Sequence, residues 1–264
     1  MVSFMNKKEL KRLDIILLIL FPIISVILSL VFKANYLVST LLFFGLPSVW
    51  LSYRTPHMIK RTALFAFIFC IPFGIIIDYI VTADKGWFVP RSSFPRIFNL
   101  VPIEDLIFVF LLAYAAVIFY EHFLDKGKHR LIDSKMKYFI WPVVILFFVF
   151  IILFFNNPLL LRINYAYFWL GGTVLLLPTL AALGVFPGLF SKYVKTASYF
   201  FIVTLLFEFT ALELGQWKYD GANFIGWVNL FGHSFPIEEF FFCFILFSTA
   251  VLSYYEFFDE PRHR

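Results

Sequence analysis

Residues 102–125 read PIEDLIFVFLLAYAAVIFYEHFLD, and residues 236–259 read PIEEFFFCFILFSTAVLSYYEFFD. The two stretches align without a gap at an offset of 134, matching Pro102 with Pro236, Ile103 with Ile237, Glu104 with Glu238, Tyr120 with Tyr254 and Asp125 with Asp259. Each opens on a proline, continues through two acids and runs on as an apolar segment long enough to cross a bilayer core, which takes ~20 helical residues. Proline suits the first turn of a helix, and acids there are favoured by the helix dipole. Upstream, Pro47 and Pro56 match Pro178 and Pro187 at an offset of 131, and Asp78 and Trp87 match Glu208 and Trp217 at 130. An ordered series of matches with a slowly drifting offset is the mark of a duplication with small loop insertions.

The composition agrees with a lipid-solvated chain. Of 264 residues, 61% are hydrophobic and only 15% charged, and Phe alone occurs 39 times. A soluble domain of this length cannot hide that much apolar surface, whereas an all-helical chain in lipid satisfies its own backbone polar groups. Eight apolar stretches are expected to span the membrane, near 13–32, 36–53, 62–81, 102–123, 137–155, 165–186, 194–214 and 236–258. Pro22, Pro47, Pro72, Pro142 and Pro178 fall inside them as tolerated kinks. The first stretch, behind Lys7, Lys8, Lys11 and Arg12, is too long for a signal peptide and lacks its small-residue cleavage pattern, so it reads as a helix.

The fold class expected is therefore an all-α polytopic membrane protein, with about eight transmembrane helices from two four-helix repeats, 1–130 and 131–264. An even number of spans per repeat makes the two parallel, related by an axis along the membrane normal. The Lys and Arg residues divide sixteen to six between the two sides, which places both termini in the cytoplasm. The net charge of +5 is then a topology signal rather than a nucleic-acid footprint. Cys70 and Cys243 lie in separate apolar spans, so neither a disulfide framework nor a zinc site is expected.

Acids near hydrocarbon are costly and are functional candidates by default. Glu104 with Asp105 and Glu238 with Glu239 sit at the same, outer end of their helices. Asp78 and Glu208 lie late in the third and seventh spans, at that same end, so that acids from two helices of each half can converge. Adjacent acids on a helix point about 100° apart, so one can face the bundle and its neighbour a loop. The alternative for all of them is a plain helix start at the interface. Glu213, one turn before Trp217, joins Trp87 and Trp217 as a candidate for holding substrate, although both tryptophans also suit an interfacial belt. Glu121 and Asp125 read as cytoplasmic-interface residues. His122 and His233 lie near acids without evident partners, and no metal spacing such as HExxH is present.

The duplicated Pro-x-Glu-acid opening of an aromatic-rich span, with a Trp-containing loop before it, resembles the membrane-integral lycopene cyclase domain over about 40–125 and 170–259. In place of the expected second Glu, the first copy carries Asp105. What the resemblance implies is a redox-neutral isomerisation: protonation of a terminal double bond of a lipophilic polyene in the bilayer, attack by a neighbouring alkene, and proton loss to give a β-ring. No metal or nucleotide cofactor is implied, and the sequence contains no GxGxxG, P-loop or metal cluster. Glu104 and Glu238 are expected as the principal acids, supported by Asp105, Glu239, Asp78 and Glu208.

Other readings fit less well. A paired-glutamate intramembrane peptidase needs Arg after its Glu-Glu, and Glu239 is followed by Phe, Phe, Phe and Cys. Aspartate-rich prenyltransferase clusters are absent, and no lysine sits mid-span for a retinal Schiff base. The non-enzymatic alternative is a carotenoid- or lipid-binding protein or a transporter, to which parallel repeats and buried acids are also suited. The topology carries its own test: fusion reporters at Lys128 and Asn229 should report opposite sides of the membrane, and finding both on one side would refute the parallel arrangement.

Overall fold

A computed structural model describes residues 6–126 and 136–258. Helix α1 (Lys7–Val31) starts on a capping box, in which Asn6 Oδ1 accepts from Lys8 N and Glu9 N while Glu9 Oε2 accepts from Asn6 N at 2.9 Å. It is followed by α2 (Tyr36–Arg54), α3 (Pro56–Ala83), α4 (Ile103–Asp125), α5 (Met136–Asn156), α6 (Ala166–Val185), α7 (Pro187–Glu213) and α8 (Glu239–Glu256). All but α5 meet the length and hydropathy needed to cross a membrane, which makes seven among the described residues. In α5 the apolar stretch runs over Trp141–Asn156, overlapping the fifth expected span. The chain is a predominantly helical, multi-pass membrane protein. Asp259, the counterpart of Asp125, lies outside the described residues.

Helix α4 is the central post, with Leu112–Ile118 almost wholly buried. Three alanines there, Ala113, Ala115 and Ala116, let neighbouring backbones approach, as small residues do between membrane helices. Helices α2, α3, α7 and α8 pack around it; α1 lies against α2 and α7, and α5 lies against α3.

The prolines shape three of these helices. A proline inside a helix clashes with the carbonyl four residues earlier. Here π-turns at Leu41–Gly45, Ala66–Cys70 and Gly171–Leu176 absorb the mismatch just ahead of Pro47, Pro72 and Pro178. Pro22 and Pro142 sit within α-helix without such a turn.

Two short antiparallel hairpins lead into the acid-bearing helices. Strands β1 (Arg96–Ile97) and β2 (Val101–Pro102) precede α4, and β3 (Trp227–Leu230) and β4 (His233–Pro236) precede α8. Helices α3 and α7 end through the same left-handed turn, with φ of 61° at Lys85 and 62° at Gly215. Glycine takes that conformation freely, whereas lysine carries its steric cost.

The opposite end of the bundle holds a buried polar network. Asp14 Oδ1 accepts from Trp50 Nε1 at 3.1 Å and Arg54 Nε at 2.9 Å, and His122 Nε2 stands 2.9 Å from Asp14 Oδ2. Lys192 pairs with Asp125 at 2.9 Å, Tyr255 donates to Glu121 Oε1 at 2.6 Å, and Tyr120 donates to Glu256. Glu121 and Asp125 are each 1% exposed; the buried Tyr255 holds the first and the partly exposed Lys192 the second. His122 and His233 both have acidic partners, Asp14 of α1 for the first and Glu213 at the end of α7 for the second.

Close packing also has a sharp test at Gly171. A Cβ placed there would lie 2.1 Å from the Phe242 ring. Gly171→Ala is expected to destabilise the protein by about 1–3 kcal/mol through overpacking, read as a lower midpoint of thermal unfolding in detergent. Gly172→Ala, where no atom lies within 4 Å, provides the matched control.

Candidate functional site: a cavity between two carboxyl pairs

At the end of the bundle capped by the hairpins, α3, α4, α6, α7 and α8 enclose a cavity of about 1200 Å³ of non-atom space, its opening included. Its wall is almost entirely apolar and aromatic, with Phe69, Phe73, Phe108, Phe207, Phe244 and Tyr254 among the lining residues. Into this wall project four carboxyl groups, Asp78, Asp105, Glu208 and Glu239.

They form two sets. In the first, Asp78 Oδ1 accepts from Trp87 Nε1 at 2.5 Å and Thr82 Oγ1 at 3.2 Å, and Asp105 lies beside both Asp78 and the Tyr36 hydroxyl. In the second, Glu208 Oε1 accepts from Trp217 Nε1 at 3.1 Å and Tyr219 Oη at 2.8 Å, and Glu239 accepts from the Tyr167 hydroxyl. Asp78 and Glu208 come from the last turns of α3 and α7, Asp105 and Glu239 from the first turns of α4 and α8. Tyr36 and Tyr167 open α2 and α6, and stand at the offset of 131 that also separates the proline pairs. That shared offset was the available signal for two residues the acid-centred reading passed over.

The sets are not copies. Tyr219 belongs only to the second, where Val89 stands in the first. Burial and the neighbouring carboxyls of Glu208 and Glu239 push the Tyr219 phenol well above its usual range, so it serves as a neutral donor. Cys243 lies beside Glu239 in the second set. Among the described residues, Asp78 Oδ2 and Asp105 Oδ2 are both buried, and the two carboxyl groups lie within hydrogen-bonding reach of each other.

The loops above are tied across the two sets. Phe88 N donates to Lys218 O at 2.9 Å and Lys218 N to Phe88 O at 2.8 Å, a reciprocal bridge that fixes Trp87 and Trp217 over the cavity. Asp84 adds bonds to Asn223 Nδ2 at 2.7 Å and Ala166 N at 3.2 Å.

Glu104 and Glu238, expected as the principal acids, are brought near this site but do not line it. The first is turned into the loop before β1, where Ser92 Oγ donates to Oε2 at 2.8 Å and Ser93 N and Phe94 N donate to Oε1. The second accepts from Ile225 N at 2.6 Å. Both are 1% exposed and hold loops, while their helix neighbours Asp105 and Glu239, about 100° round the axis, face the cavity. Glu213 lies apart: its side chain is 63% exposed, pairs with His233 at 3.3 Å and borders a separate groove with Lys33 and Arg91. Among the described residues no group of three His, Cys, Asp or Glu is placed to hold a metal ion.

The loop-holding geometry makes Glu104→Gln informative. An amide replaces a carboxylate that accepts three hydrogen bonds, two of them from backbone, and charged hydrogen bonds of this kind contribute about 1.5–3 kcal/mol each. The variant is expected to unfold at lower temperature and to expose the 92–94 loop to protease. Unchanged melting and protease resistance would refute the clamp.

Comparison with protein-family models, with curated proteins and with solved structures finds no match to this chain.

Proposed function

We propose that the protein is a membrane-embedded, acid-catalysed isomerase that cyclises the linear end group of a lipophilic polyene, a carotenoid cyclase of the lycopene type. The observation that carries this reading is the meeting of four carboxyl groups in one aromatic-walled cavity. It is built on eight spans in two parallel repeats, 1–130 and 131–264, with both termini in the cytoplasm. The contacts between residues at the repeat offsets of 130 and 134, Phe88 with Lys218 and Glu121 with Tyr255, support such an axis between the repeats.

The chemistry needs one proton, delivered and returned. A carboxylic acid kept neutral by an apolar site donates its proton to the terminal carbon–carbon double bond, whose π electrons form the new C–H bond. The resulting carbocation is attacked by a neighbouring alkene, closing a ring through a new C–C bond. Loss of a ring proton to a carboxylate restores an alkene, so electrons and protons balance without oxidant or reductant. Geometry favours Asp105 and Glu239, with Asp78 and Glu208, as donors and acceptors of that proton. The faces of Tyr36, Phe207 and Trp217 are suited to stabilising the positive charge, and a water-poor wall protects the cation from capture. Glu104 and Glu238 become positioning residues that hold the loops closing the site.

Expression in a lycopene-accumulating bacterial host, followed by pigment chromatography, tests the reading. Asp105→Asn and Glu239→Gln should each reduce ring formation by about 10²–10⁴-fold, the usual loss on removing a positioned proton donor. Glu104→Gln and Glu238→Gln should reduce it only in step with protein abundance. Normal cyclisation by the Asp105→Asn, Glu239→Gln double variant would sink the mechanism. Carotenoid bound to the wild-type protein without any cyclised product would favour the non-enzymatic alternative.

A further inference from the structure

The two seams between the halves are built differently, and the difference bears on how an apolar molecule reaches the carboxyl groups. One seam lies between α2 and α7, the other between α6 and α3. On the reading of two equivalent repeats, on which this inference rests, they occupy corresponding places. Position by position at the offset of 131, Phe43 and Phe44 of α2 correspond to Val174 and Leu175 of α6. Each pair sits in the π-turn ahead of its proline, so that turn aims both pairs at their seams.

In the α2–α7 seam the phenylalanines are completely buried. Phe43 packs tilted and Phe44 edge-on against Phe207, at 5.2 and 5.0 Å between ring centroids, and Phe44 meets Phe108 edge-on at 5.5 Å. Helix α1 packs over α2 and α7 and covers this seam from outside. In the α6–α3 seam the smaller Val174 and Leu175 leave the space unfilled. They line the cavity together with Cys70, Phe73 and Ile77 of α3, and four of these five residues are only half-buried, whereas Phe43 and Phe44 are fully buried. Helix α5, in the place corresponding to α1, packs on α3.

We infer that the cavity opens sideways into the bilayer through the α6–α3 seam alone, and that a long apolar chain enters there end-first. Its end group reaches the carboxyl groups while the rest of the chain trails past Val174 and Leu175 into lipid. The side chains of Val174, Leu175, Phe73 and Ile77 at the mouth are apolar, and the nearby Tyr254 hydroxyl is engaged by the Val174 carbonyl at 2.8 Å, so a charged or hydrated ligand would gain little there. One mouth also means that the two ends of a symmetric polyene are handled in separate visits.

The test uses the full-length protein in proteoliposomes and needs no turnover. A small apolar aryl diazirine dissolved in the bilayer is photolysed, and its carbene insertion is mapped by peptide mass spectrometry. Labelling is expected at the buried Glu208 and Glu239, besides the lipid-facing Phe67, which is 64% exposed. Val174→Phe and Leu175→Phe, each installing what α2 carries, should lower labelling of the two acids severalfold and leave Phe67 labelling unchanged. Val174→Ala should raise it, which keeps the test decisive if a bulky variant fails to insert. Phe43→Val should change nothing, because α1 still covers that seam. Absence of acid labelling in the wild-type protein, or labelling that rises with Phe43→Val and ignores position 174, would overturn the inference. Because labelling is read without substrate, failure of lycopene cyclisation in the host assay would count against the proposed reaction and not against the portal.

Discussion

A carboxyl group removed from water has to be met by donors, and that requirement governs both ends of this bundle. At the capped end, indole, phenol and hydroxyl donors gather on Asp78, Glu208 and Glu239, and backbone N–H groups gather on Glu104 and Glu238. At the other end, Arg54, His122 and Trp50 converge on Asp14. Leaving a buried polar group unmet costs more than the bond itself contributes. The loops are therefore not free connectors: their path over the cavity follows from where the acids need partners.

The same requirement ties the two halves. The Phe88–Lys218 bridge joins loops at one end, and the Glu121–Tyr255 bond joins α4 to α8 at the other. Between them lie the buried alanines of α4, where direct packing replaces polar contact. Lipid provides no hydrophobic drive for helix association, so close van der Waals contact and these few polar ties carry the cohesion. The cavity persists because the ties stand above and below it rather than within it.

Much of this was legible in the sequence. Apolar runs of span length place the helices because lipid leaves the backbone no other way to satisfy itself, and the offsets of the prolines and acids map onto structurally matching turns. The choice within each acid pair was not legible. Glu104 and Asp105 differ by one residue, and which of them faces inward depends on where α4 begins relative to the 92–94 loop, a tertiary fact. The partners of His122 and His233 come from Asp14 and Glu213, and no local pattern announces them. Tyr36 and Tyr167 were visible in principle, at the same offset as the prolines, but aromatic residues are so frequent here that composition masked them. The π-turns before Pro47, Pro72 and Pro178 follow from the known clash of proline with its preceding turn, although their exact length does not.

Phe43 and Phe44 on one side and Val174 and Leu175 on the other have a further meaning for how such a bundle is encoded. Were the two halves identical chains related by a true twofold axis, every seam would be specified twice by one stretch of coding sequence. A residue that sealed one side would seal the other, and a residue that opened one would open both. Joining the halves in a single chain removes that bond, and each side can then drift under its own selection. A stopper on one flank and the doorway inferred for the other require two stretches of sequence that differ, as 43–44 and 174–175 do, and two copies of one identical stretch cannot supply them.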